Sequence, residues 1–257
     1  MTRTALRYGR QHAQVGDLWR PAGDAPPAGQ PVVVLIHGGF WRQIYTKRLM
    51  HPLARVLVTL GWAVYNIEYR RVGFGGNGGW PATFDDVSAA VNALATVDDL
   101  DLRRVLTCGH SAGGHLALWL AGRRHTSSSR SGDPLGTPVL VRAAISLAGI
   151  ADLDTAARTH LGGGAVEALM GGSPDVIAEA YEMGSPVAQL PLGVPQHLIH
   201  GLRDATVPPS MSADYVNQAV ARGDDAVFVP VAGAGHMDMI RPAGRAMTEI
   251  VSALDRY

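Results

Sequence analysis

Apolar positions along this chain alternate between two rhythms. Val32 to Ile36 is an unbroken apolar run, the mark of a strand covered on both faces, and it ends in His37-Gly38-Gly39-Phe40-Trp41. Leu49, Leu53, Val56, Leu57 and Leu60 follow at helical spacing, with Gly61 as a stop. Ala63 to Ile67 reads as the next strand, and Phe84, Val87, Val91 and Leu94 as the buried stripe of the next helix. Thr83 with Asp86 three residues later predicts a capping box there, which makes Asp85 and Asp86 helix-start acids. Val105 to Cys108 is again strand-like and runs through Gly109-His110-Ser111-Ala112-Gly113 into a helix rich in leucine. Strands are then expected at 143–147, 196–200 and 226–231. Helices are expected at 211–221, with Met211, Tyr215 and Ala219 on one face, and around Met247, Ile250, Val251 and Leu254.

Three stretches break the rhythm. The region from Tyr8 to Trp19, anchored by Val15, Leu18 and Trp19, suits a short antiparallel pair at a sheet edge. Segment 70–79 is too glycine-rich for a regular element, and the polar run at 123–134 reads as an exposed loop. Segment 151–190 carries scattered Gly, Pro and helical fragments without a strand, and is expected to form a small lid-like insertion.

Alternating strand and helix over more than 200 residues, with no internal repeat, predicts one α/β domain across 1–257: a mostly parallel sheet with helices on both faces. In such sheets ligands sit beyond the carboxyl ends of the strands. Five of those ends carry suggestive chemistry: the His37 loop, the Arg70 loop, Ser111, Asp204 and His236.

Composition narrows the partners. A hydrophobic content of 47% supports a substantial core, and 22 basic against 22 acidic residues leave no net field to attract nucleic acid or an anionic membrane. Met1 to Tyr8 has no apolar signal region, and no run approaches the roughly 20 residues of a membrane span. Cys108, the single cysteine, can form no internal disulfide and reads as a buried core thiol. Together these features predict a cytoplasmic protein; nothing in the sequence chooses an oligomeric state.

The motif G-x-S-x-G at Gly109–Gly113 is short enough to arise about 0.2 times by chance in so glycine-rich a chain, so its strand–turn–helix context carries the weight. A serine hydroxyl needs a base, and the base needs an orienting acid. His236, in a glycine-rich loop after the last strand, is the candidate base and Asp204, at the exit of the preceding strand, the candidate acid. Asp238 is the rival, but two residues from His236 it would face away. Oxyanion donors are expected from the amides of Ala112, Gly39 and Phe40, with His37 holding their loop by hydrogen bonds. Phe40, Trp41, Tyr69 and Trp80 are candidates to line an acyl or aryl pocket.

With these residues named, the chain resembles the α/β-hydrolase superfamily over essentially its full length. The matching motifs are H-G-G-F-W at His37–Trp41, G-H-S-A-G at Gly109–Gly113, H-G-L-R-D-A-T-V-P at His200–Pro208 and G-H-M-D at Gly235–Asp238. Ile67-Glu68-Tyr69-Arg70, Gly79-Trp80-Pro81-Ala82 and Gly149-Ile150-Ala151-Asp152-Leu153 make it similar to the kynurenine formamidase and small carboxylesterase branch. Hormone-sensitive-lipase-like relatives usually have a third glycine where this chain has Phe40. The resemblance implies hydrolysis of a small ester or aryl formamide through an acyl-enzyme, with no metal or organic cofactor. Two other readings remain open: a non-catalytic ligand-binding protein on this fold, and a peptidase of the prolyl-oligopeptidase type.

Overall fold

A computed structural model describes residues 1–123 and 138–257. Eight strands form one sheet: β1 (Thr2–Arg7), β2 (Val15–Arg20), β3 (Gln30–Ile36), β4 (Ala63–Ile67), β5 (Leu100–His110), β6 (Ala143–Leu147), β7 (Gln196–Gly201) and β8 (Ala226–Val231), in the order β1-β2-β4-β3-β5-β6-β7-β8. β3 to β8 run parallel, while β1 and β2 add an antiparallel edge against β4. The edge pair is as expected, but its outer strand starts at Thr2, where mostly exposed residues give no apolar signal.

The uninterrupted apolar run of β3 is explained by what covers it. Val32, Val34 and Ile36 face a core shared with Phe84, Val87 and Val91 of α2 (Ala82–Ala93), Leu116 of α3 (Ala112–Gly122) and Tyr215 of α7 (Pro209–Ala221). Val33 and Leu35 face the opposite core, with Leu53 and Leu57 of α1 (His51–Thr59) and Ile250 and Leu254 of α8 (Ala246–Leu254). Each such side chain removed from water contributes about 1.5–3 kcal/mol before entropy, so neither face of the strand can be polar. α3 is buried along its whole length, as a helix lying across the middle of a sheet must be. Cys108 lies in the core with its thiol pushed up to about 12 by burial.

Segment 151–190 contains α4 (Leu153–Arg158), α5 (Ala165–Met170) and α6 (Ala178–Gly184), and no strand. Beyond Arg123, the loop expected at 123–134 lies outside the described residues. The capping box expected at Thr83 and Asp86 is not formed. α2 begins at Ala82, and the Thr83 hydroxyl instead accepts from Gly79 N (2.9 Å) and donates to the Arg70 carbonyl (2.7 Å). Asp86 is fully buried and ties down the segment after β4, accepting from Arg70 N (2.8 Å), Arg70 Nη2 (2.6 Å) and Gln14 Nε2 (2.7 Å). Asp85 does stand in the first turn of the helix. No described helix is long and apolar enough to cross a membrane.

Candidate active site

β5 delivers Ser111 to the turn before α3 in a backbone conformation serine rarely adopts, φ 57° and ψ −120°. Neighbours hold it there: Ser111 N donates to the Leu147 carbonyl at the end of β6 (2.8 Å), and its own carbonyl accepts from Gly114 N and His115 N in the first turn of α3. The motif glycines are required by proximity. A Cβ on Gly109 would lie 1.9 Å from the Gly113 carbonyl oxygen, and one on Gly113 would lie 2.1 Å from that of Ile36.

His236 opens a short 3-10 turn (His236–Ile240) after β8, and its Nδ1 donates to Asp204 Oδ2 at 2.6 Å. The proton on Nδ1 leaves Nε2 as the free acceptor of the ring. Asp204 Oδ1 accepts from the amides of Thr206 (2.8 Å) and Val207 (3.0 Å). Burial alone would raise the pKa of this carboxyl, but hydrogen bonds from His200, His236 and Val207 outweigh it and hold the group far below the usual carboxylate range. The rival Asp238 is turned away: it accepts from Gly235 N (2.8 Å) and pairs with Arg241 (3.0 Å).

Among the described residues no hydrogen bond joins the Ser111 hydroxyl to the His236 ring. His236 is brought to the turn by the residue before the serine: His110 Nε2 donates to the His236 carbonyl at 3.1 Å, and the two rings lie 4.6 Å apart. Burial and the neighbouring His236 push the His110 pKa down to about 3, so it stands there neutral. Nothing in the sequence marked His110 as more than the variable position of the motif.

The loop after β3 meets the same turn. A Cβ on Gly38 would lie 2.6 Å from the His110 carbonyl oxygen and 2.9 Å from Ser111 Cβ, so the two backbones touch. Gly39, Phe40 and Trp41 follow with φ of 110°, 51° and 54°. The amides of Gly39 and Phe40 donate to no protein group among the described residues, and Ala112 N, first in α3, has no carbonyl one turn back. His37 anchors this loop from below. Its Nε2 lies 2.7 Å from Glu68 Oε1 and its Nδ1 2.7 Å from the Gly38 carbonyl, and its ring stacks on Tyr69 at 4.4 Å. Glu68 also pairs with Arg71 and accepts from Lys47 N (3.1 Å). Glu68 and Arg71 went unassigned in the sequence, because a charged pair after a strand reads as surface until its burial is known.

Two of the expected pocket residues are corrected. Trp41 and Tyr69 are both 0% exposed and line no open surface. Trp41 packs edge-on against His115 (5.2 Å), and the Tyr69 hydroxyl donates to the His37 carbonyl (2.9 Å). Trp80 is partly buried against Phe84 (4.7 Å). Phe40 is also partly exposed: its ring lies against Gly162 and under the Arg42 guanidinium, which donates to the Gly162 carbonyl. Segment 151–190 therefore touches the oxyanion-loop candidate.

Comparison with known proteins places this geometry in a lineage. The BD-FAE family profile matches residues 17–218, a span that takes in the His37 loop, Ser111 and Asp204. The chain belongs to the BD-FAE family. This BD-FAE chain is 29% identical over 246 residues to Esterase LipC of Mycobacterium tuberculosis, covering 91% of its own length and 59% of LipC. It is 27% identical over 210 residues to Esterase LipQ of the same organism, covering 76% and 47%. It therefore spans only about half to three-fifths of these relatives. Among solved structures, a bifunctional GH43-CE protein of Bacteroides eggerthii superposes with a TM-score of 0.82 at 23% identity, over 99% of this chain and 38% of that one. A truncated carbohydrate esterase from gut microbiota gives 0.80 at 22% identity, over 99% and 97%, and Thermogutta terrifontis esterase 2 gives 0.78 at 20%, over 99% and 92%. The fold of this BD-FAE chain is that of the α/β-hydrolases.

Proposed function

We propose that this BD-FAE protein is a serine esterase that cleaves small esters through an acyl-enzyme. The observation that carries the reading is the 2.6 Å bond that fixes His236 on Asp204 while the His236 ring lies against the residue preceding a serine held in a left-handed conformation. His236 Nε2 takes the Ser111 proton as Oγ attacks the ester carbonyl; such bonds close fully only when substrate is bound. The developing oxyanion is met by the amides of Gly39, Phe40 and Ala112. The imidazolium, paired with Asp204, gives its proton to the departing alcohol, and the same base then activates a water that releases the acid. Between ester and aryl formamide, the names of LipC and LipQ favour the ester.

Ser111→Ala, compared with the parent protein on p-nitrophenyl acetate, is expected to lose roughly 10⁶-fold in kcat. A fluorophosphonate should label Ser111 in the parent and nothing in the variant. Retention of most turnover, or no labelling of the parent, overturns the mechanism. N-formylkynurenine assayed beside acetyl and butyryl esters decides the class: strong preference for the formyl substrate would replace the ester reading with the formamidase one.

A further inference from the structure

Asp204 has a second histidine. His200 lies in β7, fully buried, with Nε2 3.1 Å from Asp204 Oδ2 and 3.0 Å from the Val207 carbonyl. A carbonyl can only accept, so Nε2 carries the hydrogen, and it points at the same carboxylate oxygen that holds His236. Nδ1 of His200 is then a lone pair, and it accepts the hydroxyl of Ser212 at 2.7 Å. Ser212 stands in the first turn of α7 and is also fully buried. The Val207 carbonyl and the carboxylate set this tautomer, and the Ser212 hydroxyl, able to donate or accept, completes it by donating to Nδ1 and holding the ring in place. The path reads Ser212 hydroxyl to His200, His200 to Asp204, and Asp204 from His236. Asp204 thus receives four donors: two amides on Oδ1 and two imidazoles on Oδ2.

A buried histidine with both nitrogens satisfied is ordinarily packing. What separates His200 from packing is that its one hydrogen, shared with the Val207 carbonyl, also reaches the oxygen of Asp204 that holds His236. Resting on the triad reading above, we infer that His200, with its tautomer set by the Val207 carbonyl and its ring held by Ser212, is a positioning residue: it aims Asp204 Oδ2 at His236 and limits how strongly that oxygen holds the proton of the base. With the second donor gone, the full charge of Oδ2 falls on the His236 bond, and the imidazolium form of His236 is stabilised. Groups facing His236 come from three elements: Asp204 after β7, His110 at the end of β5, and His200 in β7 through the carboxylate. Of these only His200 is altered in the test. Because catalysis needs neutral His236, the acid limb of the kcat/KM profile must move to higher pH.

The test measures kcat/KM for p-nitrophenyl acetate against pH in the parent, H200F, H200Q, S212A and S111A. H200F should raise the acid limb by about one pH unit, a tenfold loss one unit below the parent limb, and S212A by about half a unit. H200Q, whose side-chain amide can donate from the Nε2 position, should keep the limb within about 0.3 unit. A purely structural histidine would lower kcat evenly across pH and leave the limb in place. S212A, which removes one hydroxyl, keeps the inference testable if H200F does not fold. An unmoved limb in S212A and H200F with S111A inactive overturns the role of His200 alone, whereas activity in S111A overturns the triad reading beneath it.

Discussion

Gly38 shows how narrowly single atoms constrain the candidate site. Its hydrogen in place of a Cβ lets the oxyanion-loop candidate touch the backbone of His110 and Ser111; a methyl there would sit 2.6 Å from a carbonyl oxygen that cannot move without the turn. Gly38→Ala should therefore push the amides of Gly39 and Phe40 away from Ser111. The expected result is a loss of about 10²- to 10³-fold in kcat, the scale of a lost oxyanion donor, while the thermal midpoint falls only a few degrees. Parent-like turnover in that variant would remove this loop from the mechanism. Glu68 and Arg71 work on the same loop at one remove, through the ring of His37.

Between β4 and α2 the chain is held, together with the Thr83 hydroxyl, by a buried carboxylate whose ion pair with Arg70 has two inequivalent partners. The Asp86 side chain is 0% exposed while that of Arg70 is 20% exposed, so the arginine can reach water and the acid cannot. Arg70→Ala, which strands a buried charge, should cost about 3–5 kcal/mol in urea unfolding, and Asp86→Ala about half of that. The reverse order would mean that the ion pair is not what holds the segment. The same region marks the limit of what the sequence discloses. Strands β3 to β8, α1, α3, α7 and α8 were legible because both faces of the sheet must be apolar and the helices carry a single stripe. The placement of the candidates Ser111, Asp204 and His236 at one end of the sheet was legible because each follows such a strand. Asp86 was not: an acid near a helix start has the same local pattern whether it meets solvent or a buried arginine. Trp41 and Tyr69 failed for the same reason, since an aromatic beside a motif does not declare whether its ring faces substrate or core. His110 meets a partner 126 residues away, which no local spacing encodes, and His200, though close in sequence to Asp204, Val207 and Ser212, shows its bonds to them only once β7 and α7 are folded.

At the level of the whole molecule, buried neutral histidines make stability depend on pH. Burial lowers the pKa of His110 to about 3 and that of His115, whose Nε2 donates to the Gly184 carbonyl, to about 4. The unfolded chain binds these protons near pH 6.5 and the folded chain does not, so acid favours unfolding. From about pH 6.5 down to 4 each group should remove roughly 1.4 kcal/mol of stability per pH unit, with His110 continuing to about 3. Asp204 acts in the same sense in a lower window: its depressed pKa contributes stability above the ordinary carboxylate value that is lost as pH falls beneath it. Urea unfolding at pH 7, 6 and 5 checks the slope, and H115Q should reduce it by one group's share. A flat profile would mean that these rings are already hydrated.

The order of the strands also sets an order in time. His110 and His236, whose rings touch in the finished fold, are 126 residues apart in the chain. At about 5–20 residues per second, a ribosome releases Ser111 roughly 6–25 seconds before His236. During that interval β3 to β6 can assemble and hold Ser111 in its turn, yet the hydroxyl has no partner to remove its proton. On the proposed mechanism the growing chain carries a nucleophile that stays silent until the residues after β8 are made.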